Sequence, residues 1–213
     1  MDGKATVKIG AFSRGGQTRG ADKASEHDFG GTEPYIPCGL LAEDTAQLYV
    51  PFGSSAKTSD FSVDTLTACW QGLTAPEQRA LARVQLKMDN GPESSGGRTQ
   101  FLHRRVHLVA TLGKPIPLLY YPPYHSKDNP IERGWGMLEF HWNDTQLRDT
   151  ETMLEWAKRM TWKGLKPVVE LSRKVYAKGV TLSKTTMQAV EARLERNPLL
   201  PKWDILIHPV RAT

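Results

Sequence analysis

The stretch from Leu118 to Trp142 constrains the fold most, because an apolar segment, a proline turn and an amphipathic segment follow one another there. The apolar segment ends at Pro122-Pro123, and a polar loop then leads to Asn129-Pro130. Asparagine is a favourable helix N-cap, and proline fits the first helical position because the amide hydrogen that it lacks has no partner there. The sequence therefore predicts a strand, a turn and then a helix that begins at Pro130.

The predicted helix carries a stripe of apolar residues that should face a core. The stripe has helical spacing and consists of Ile131, Trp135, Leu138 and Trp142. Glu132 lies one residue round from it, at the start of the helix and toward the end of the preceding strand. Taken alone, Glu132 is better explained as the acidic residue of a capping box three positions after Asn129 than as a cation ligand.

A second acidic residue follows the strongest strand pattern of the chain. Apolar and polar residues alternate from Val84 to Met88, and Asp89-Asn90-Gly91 comes directly afterwards. These three residues are typical of a turn. An Asp at the carboxyl end of a strand also lies where open α/β sheets place their functional sites, so both interpretations stand.

The remaining pattern alternates between strands and helices. Upstream of Asp89 we predict a strand at Ala5–Ile9, another at Ala46–Val50, a helix from Ser62 to about Gly72 capped by Ser62 or Asp64, and a short helix at Thr74–Ala82. Downstream we predict a helix at Arg98–Gly113, a strand at Ile116–Tyr121, helices at Glu151–Met160, Pro167–Lys178 and Ser183–Arg196, and a docking strand within Pro201–Pro209.

Composition narrows the class of protein. The 213 residues suit one domain of ordinary size, or one domain with an appendage, and 39% hydrophobic residues suffice for a core. The net charge of +5 is a mild bias toward a polyanionic partner.

Cys38 and Cys69 lack metal-ligand spacing. Without a long apolar run or a signal-peptide pattern, we expect a soluble cytoplasmic protein with no membrane partner.

The predicted helix at Arg98–Gly113 carries His103 and His107 at i and i+4. This spacing is compatible with a metal pair, but no carboxylate or Cys ligand follows at a matching distance along the chain. We therefore favour a solvated helix face for the two histidines.

Several strings of residues resemble one family over essentially the whole chain. The string Tyr-His-Ser-Lys-Asp-Asn-Pro-Ile-Glu-Arg-Gly-Trp at 124–135 resembles the last catalytic block of DDE transposases of bacterial insertion sequences, in the group described as the Rhodopirellula transposase DDE domain. The residues at 2–16 and 87–96 resemble the first and second blocks of that family. The residues at 161–165 and 201–204 resemble its C-terminal part.

The resemblance implies an α/β fold, namely a ribonuclease H-like mixed sheet flanked by helices, with a C-terminal helical extension. It also implies that Asp2, Asp89 and Glu132 are catalytic and bind metal. Two Mg²⁺ or Mn²⁺ ions are then expected, because such ions prefer oxygen ligands and a pair of them can promote phosphoryl displacement. The implied reactions are DNA strand cleavage and strand transfer during transposition of an insertion sequence.

Neighbours of the site follow from the same resemblance. We expect second-shell roles for Lys87, Asn90 and His125. From their positive charge, the candidate DNA contacts are Arg14, Arg19, Arg98, Lys127 and Arg133. For the Gly- and Arg-rich loop at 14–23, a solvated hairpin loop is favoured over contact with phosphates. The implied partner is DNA, as insertion-sequence ends and target, bound by a homo-oligomer in a synaptic complex at the nucleoid.

The beginning of the chain departs from the family pattern. In the family an apolar strand surrounds or precedes the first Asp, whereas here only Met1 precedes Asp2. We therefore expect a truncated copy of a transposase that lacks most of its first strand and the DNA-binding region that precedes it in the family. The expected domains are a catalytic domain at 1–150 and a helical extension at 151–213. The alternatives are a non-catalytic DNA-binding remnant of a transposase and a stand-alone ribonuclease H-like nuclease.

Overall fold

The computed structural model describes residues 1–11, 34–91, 94–122 and 124–209. Its strands are β1 (Asp2–Gly3), β2 (Val7–Lys8), β3 (Pro34–Leu41), β4 (Leu48–Gly53), β5 (Leu86–Met88), β6 (Ile116–Tyr120), β7 (Val168–Ser172), β8 (Leu194–Arg196) and β9 (Asp204–Ile207). Its helices are α1 (Ser59–Gln71), α2 (Ala75–Ala80), α3 (Thr99–Leu112), α4 (Pro130–Trp142), α5 (Thr150–Arg159) and α6 (Lys184–Glu191), and a 3₁₀ turn covers Ser126–Asp128.

The chain divides into two compact units, named here after the helix central to each. The α4 unit comprises Asp2–Ala56 and Pro130–Val175, and the α3 unit comprises Met1, Lys57–Asn129 and Tyr176–Thr213. Each unit therefore combines segments that are distant in the sequence.

The sheet of the α4 unit is mixed. Its order is β1-β3-β4-β7, and β2 also pairs with β3. The pairs of β3 with β1, β2 and β4 are antiparallel, whereas β4 and β7 are parallel. In the first pair, Asp2 lies opposite Gly39.

A single apolar cluster fills the core of the α4 unit. Helix α4 contributes the complete predicted stripe, whose four side chains are buried against residues from the sheet and from α5. The cluster includes Ile131, Trp135, Leu138, Trp142, Tyr35, Val50, Phe52, Met153 and Met160. Because each such large side chain stabilises a fold by roughly 1.5–3 kcal/mol when fully buried, the stripe fixes the rotation of α4 about its axis.

The α3 unit contains the second sheet, in the order β5-β6-β9-β8. Strands β5 and β6 are parallel, and the other two pairs are antiparallel. Helix α3 packs with α1, α6 and β9. Arg104 on α3 joins it to α1, because its guanidinium lies 2.8 Å from Asp60 and 2.8 Å from Asp64.

The predicted fold class is confirmed as a mixed α/β fold with mixed sheets flanked by helices, which is consistent with a ribonuclease H-like fold. Gly113 caps α3 with a φ of 64°, as predicted, and such left-handed backbone favours glycine. The short helix predicted after Thr74 is α2, and its capping box joins Thr74 and Glu77.

Three predictions of local structure are wrong. Helix α1 begins at Ser59, earlier than expected. Its N-cap is Thr58 rather than Ser62 or Asp64. The helix predicted at Pro167–Lys178 is instead strand β7, in which the residues of a β-branched run pair with β4. Helix α6 ends at Glu191, and the rest of the predicted helix includes β8, which pairs with β9.

The C-terminal region is therefore less helical than expected. It contains α5 and α6, but its strands complete both sheets: β7 belongs to one, β8 and β9 to the other. The boundaries of the compact units also differ from the predicted division at residue 150.

Candidate active site

The three predicted carboxylates are distributed over both compact units. Asp2 and Glu132 belong to the α4 unit, and Asp89 belongs to the α3 unit. Each carboxylate therefore has its surroundings within its own unit.

Asp2 is held by the side chain of a core residue. The indole nitrogen of Trp135 donates a hydrogen bond to Asp2 Oδ2 over 3.2 Å. Trp135 is 3% exposed, so α4 fixes the position of this donor. In the antiparallel pair of β1 and β3, Asp2 lies opposite Gly39.

Gly39 makes the approach of the Trp135 ring possible. A Cβ atom built on Gly39 would stand 2.6 Å from Trp135 Cη2 and 2.8 Å from Ile131 Cδ1, which is closer than atoms can pack. The ammonium group of Lys4 lies 5.9 Å from the Trp135 ring centroid and 3.0 Å from Glu139 Oε1. The ring is thus in contact with the sheet and close to a cation, and its N–H is directed to Asp2.

Asp89 follows β5 directly, at the strand end that the sequence predicted. The side-chain nitrogen of Asn129 lies 3.4 Å from Asp89 Oδ1, at the long end of hydrogen-bond distances. Asn129 is 1% exposed, so its amide is withdrawn from solvent. The hydroxyl of Ser94 donates to the main-chain carbonyl of Asp89 over 2.8 Å, which fixes the backbone after the strand.

Glu132 is the third residue of α4 and is half-buried. Ile131 immediately before it is fully buried in the core, so the first turn of the helix is anchored. Within the α4 unit, Trp135 contacts Asp2 and lies three residues after Glu132, and within the α3 unit Asn129 contacts Asp89. These three residues, Asn129, Glu132 and Trp135, recur at intervals of three along the chain.

The predicted second-shell residues have local structural contacts. The carbonyl of Lys87 accepts a hydrogen bond from the amino terminus of Met1 over 2.8 Å. Asn90 Oδ1 accepts from the backbone nitrogen of Gly96 over 3.3 Å, which stabilises the loop after β5. His125 is exposed, and its backbone bonds stabilise the turn that precedes α4. Their second-shell role remains a prediction.

The predicted DNA contacts lie at the surface where the structure describes them. Arg98 is exposed at the N-cap of α3, Lys127 is exposed in the 3₁₀ turn, and Arg133 is exposed on α4. Arg14 and Arg19 lie outside the described residues.

The donor chemistry of the predicted triad fits a hard divalent cation, because carboxylate oxygens are the ligands that Mg²⁺ and Mn²⁺ prefer. Among the described residues, however, no group of three or more His, Cys, Asp or Glu side chains is arranged to hold a metal ion.

Two contacts of the site were missed by the sequence analysis. Asn129 was interpreted only as a helix cap and Trp135 only as a core residue. A buried tryptophan needs an acceptor for its N–H, and a buried asparagine needs partners for its amide. The sequence could therefore indicate that each side chain has a hydrogen-bond partner. It could not identify the partner, because the tertiary structure decides which acceptor is nearby.

Comparisons with known proteins agree with the resemblance. One protein-family model, described as the Rhodopirellula transposase DDE domain, matches residues 1–209. No curated protein and no solved structure matches the chain. In the part of the chain that the structure describes, no helix combines the length and the apolar character needed to cross a membrane. Since the match covers nearly the whole chain, this protein belongs to the family of Rhodopirellula transposase DDE domains.

Proposed function

We propose that the transposase function of this chain consists of metal-dependent DNA strand cleavage and strand transfer at the ends of an insertion sequence. Asp2, Asp89 and Glu132 are the proposed ligands of two Mg²⁺ or Mn²⁺ ions. Family membership supports a transposase function with DNA as partner, and the contacts of these carboxylates support their assignment as the site.

The observation that carries the proposal is that two of the three carboxylates accept hydrogen bonds from buried side chains, Asp2 from Trp135 and Asp89 from Asn129. A buried indole and a buried amide each need an acceptor, and a neutral acceptor would satisfy them without the cost of withdrawing a charge from water. Here both donors are instead directed at aspartates, over 3.2 Å and 3.4 Å. Second-shell donors of this kind orient metal-ligating carboxylates.

The chemistry expected of the site is phosphoryl transfer. Divalent ions held there would supply activation of a water or a 3′-hydroxyl and stabilisation of the leaving oxygen. The carboxylates of this chain would hold the ions, while Trp135 and Asn129 orient Asp2 and Asp89 by hydrogen bonds. Exposed Lys127 and Arg133, close to Glu132 in the chain, supply positive charge for the phosphates of the DNA backbone.

The experiment compares Asp89→Asn and Glu132→Gln with wild type and with Asp128→Asn. Asp128 is an exposed carboxylate next to Asn129 in the chain, and it is not a proposed ligand, so it is a matched control. Nicking of supercoiled DNA in Mg²⁺ or Mn²⁺ should be lost in the first two variants and retained in the third. Mn²⁺ binding followed by electron paramagnetic resonance should weaken in the same two variants.

Unchanged nicking by Asp89→Asn and Glu132→Gln would remove both residues from the proposed site. Thermal unfolding of every variant shows whether a loss of nicking comes from the site or from the fold. Neutral amides of the same shape keep the packing, so wild-type midpoints are expected.

DNA binding without catalysis is the second candidate. It is favoured by the absence of a group of three metal-binding side chains from the described residues. Under this alternative, wild-type protein shifts duplex DNA in a gel but nicks no DNA in either metal. Nicking that disappears in Asp89→Asn excludes it.

The wider setting is also part of the proposal. We place the reaction in the cytoplasm at nucleoid DNA, with a homo-oligomer bound to two DNA ends. Mass measurements of the protein with and without duplex DNA test the oligomer, and a monomer under both conditions would contradict it.

A further inference from the structure

Two histidines on α3 form a close pair outside the candidate active site. His103 Nε2 and His107 Nε2 are 3.1 Å apart, and the two rings meet edge to face with centroids separated by 4.5 Å. His107 is exposed and His103 is half-buried, so the pair is open to solvent at one end.

The separation of the two nitrogens matches that of two ligands on one metal ion. Zinc–imidazole bonds are about 2.0–2.1 Å long, so nitrogens 3.1 Å apart subtend an angle of about 98° at a shared ion. This angle lies between those of tetrahedral ligands and of neighbouring octahedral ligands. An i, i+4 spacing on a helix keeps both rings on the same face.

The surrounding charges leave the pair available as a ligand. Arg104 lies between the two histidines in the sequence, but its guanidinium is directed to Asp60 and Asp64, each 2.8 Å away. Asp60 also accepts hydrogen bonds from Gln100. Its carboxylate therefore balances Arg104 and is not positioned as a third ligand of the pair.

The ring of His103 presents only one of its nitrogens for binding. Its Nδ1 atom is buried and has no hydrogen-bond partner among the described residues. The other nitrogen, Nε2, is the atom that faces His107. The atom of this ring that makes a polar contact is therefore Nε2, which is also the atom that would bind an ion.

We propose that His103 and His107 form a two-histidine site for a borderline divalent cation such as Zn²⁺, Ni²⁺ or Cu²⁺, with water completing the coordination. Imidazole suits these ions, whereas Mg²⁺ prefers oxygen ligands. The site uses none of the residues of the proposed carboxylate site and prefers different metals. It would clamp one turn of α3, the helix to which α1 and α6 are packed.

The test is a calorimetric titration of the full chain, without a histidine tag, with Ni²⁺ in buffer containing excess Mg²⁺. Wild-type protein should bind one Ni²⁺ per chain. His103→Ala and His107→Ala should each bind at least about tenfold more weakly, because the second nitrogen of a chelate adds an intramolecular contact. His208→Ala removes an exposed histidine that follows β9 and should bind like wild type.

A second variant separates loss of the ligand from damage to the fold. Thr111 is an exposed residue four positions after His107 on the same helix. The double variant His103→Ala/Thr111→His recreates a pair at i and i+4, so it should regain most of the affinity that His103→Ala loses. In the electron paramagnetic resonance spectrum of bound Cu²⁺, splitting from two imidazole nitrogens should appear in wild type and in the double variant. It should be absent from His103→Ala.

Equal Ni²⁺ affinity in wild type, His103→Ala and His107→Ala would overturn the proposal. Absence of saturable binding by wild type at millimolar Ni²⁺ would also overturn it and would leave a hydrogen bond between the rings as the reason for their proximity. Neither result bears on the carboxylate site, because Ni²⁺ binding is measured with Mg²⁺ in excess.

Discussion

Trp135 donates its indole hydrogen to the carboxylate of Asp2 over 3.2 Å, although 133 residues separate the two in the chain. The donor is buried in the core and the acceptor is the second residue of the protein. Packing of α4 against β3 therefore determines how Asp2 is oriented. The stability of the core and the geometry of a proposed catalytic group depend on the same side chain.

Trp135→Phe should weaken both metal binding and the stability of the fold. Phenylalanine keeps an aromatic ring in the core but removes the N–H that holds Asp2. Loss of such a second-shell donor typically costs about 10–100-fold in metal affinity or activity. A hydrogen bond to a charged group contributes about 1.5–3 kcal/mol, so the free energy of unfolding should also fall. Mn²⁺ binding, nicking rates and denaturant midpoints measure the three quantities.

Trp162→Phe is the matched control for this substitution. Trp162 is also buried in the core of the α4 unit, and its indole nitrogen makes no hydrogen bond among the described residues. The substitution removes a similar volume from the core without removing a donor to a carboxylate. Equal losses of Mn²⁺ affinity in both variants would contradict an orienting role for Trp135.

Gly39→Ala should destabilise the α4 unit by about 1–3 kcal/mol, the usual cost of overpacking a core. The added methyl group would overlap the Trp135 ring and approach Ile131 Cδ1, so α4 must shift or the ring must rotate. Either response moves the indole away from Asp2. A lowered denaturant midpoint together with weaker Mn²⁺ binding is the expected result.

Gly136→Ala is the opposite case on the same helix. A Cβ atom at Gly136 would meet nothing within 4 Å, and the residue lies in the interior of α4. Replacing an interior helical glycine by alanine gains about 0.8–1.0 kcal/mol, so the midpoint should rise. If both glycine substitutions destabilise equally, the close contact at Gly39 is not the cause.

The N-cap of α5 should make stability depend on pH in the acid range. Hydrogen bonds from the Thr152 backbone, the largest cause, and from its side chain lower the pKa of Asp149 below the ordinary value of an aspartate. A carboxylate with a lowered folded-state pKa contributes stability above its unfolded pKa, about 3.9, and loses it as the pH falls through the folded value. Wild type should therefore melt above Asp149→Asn at neutral pH.

The difference between those two melting temperatures should shrink as the pH falls below about 4. Asparagine is also a good N-cap, so the variant keeps the cap without the titrating charge. Circular dichroism melts at several pH values measure the difference. A gap that stays constant down to the lowest pH would mean that the charge of Asp149 adds nothing to the cap.

DNA binding by this protein should weaken steeply as salt rises. Each phosphate that a cationic side chain neutralises contributes about −0.9 to the slope of log affinity against log salt. Replacing Arg98, Lys127 and Arg133 by alanine should make the slope less negative by about 0.9 for each side chain that contacts a phosphate. Fluorescence anisotropy with two unrelated duplexes measures the slope and the sequence preference.

Lys158→Ala serves as the control for charge alone. Lys158 is exposed on α5 and paired with Glu155 at 3.1 Å, so its removal changes the net charge as much as each of the other substitutions does. Its salt slope should equal that of wild type. The same change of slope in Lys158→Ala would show that net charge, rather than three specific contacts, determines binding.

Some features of the protein could be predicted from short-range chemistry in the sequence. Helix α4 has a stripe with helical spacing and a proline at its first position, so its start and its buried face were both predictable. Helix α3 ends at Gly113 because the left-handed backbone there favours glycine. Strand β5 and the position of Asp89 after it followed from alternation and turn residues.

Strand β7 shows where such reasoning fails. Pro167 indicated the start of a helix, but the residues that follow pair in parallel with β4, more than a hundred positions earlier in the chain. Strand β8 similarly exists because β9 pairs with it. A segment of this length has no strong intrinsic preference, so hydrogen bonding to a distant partner decides its conformation.

The local sequence by itself determined where α4 begins and α3 ends, which face of α4 is apolar, and that Asp89 follows a strand. Resemblance along the whole chain pointed to the family. Only the tertiary structure decided that Trp135 holds Asp2 and that His103 faces His107 closely enough to share an ion. The physical reason is that propensity and capping act within one turn or strand, whereas hydrogen bonds and ligand geometry require atoms to be placed by packing.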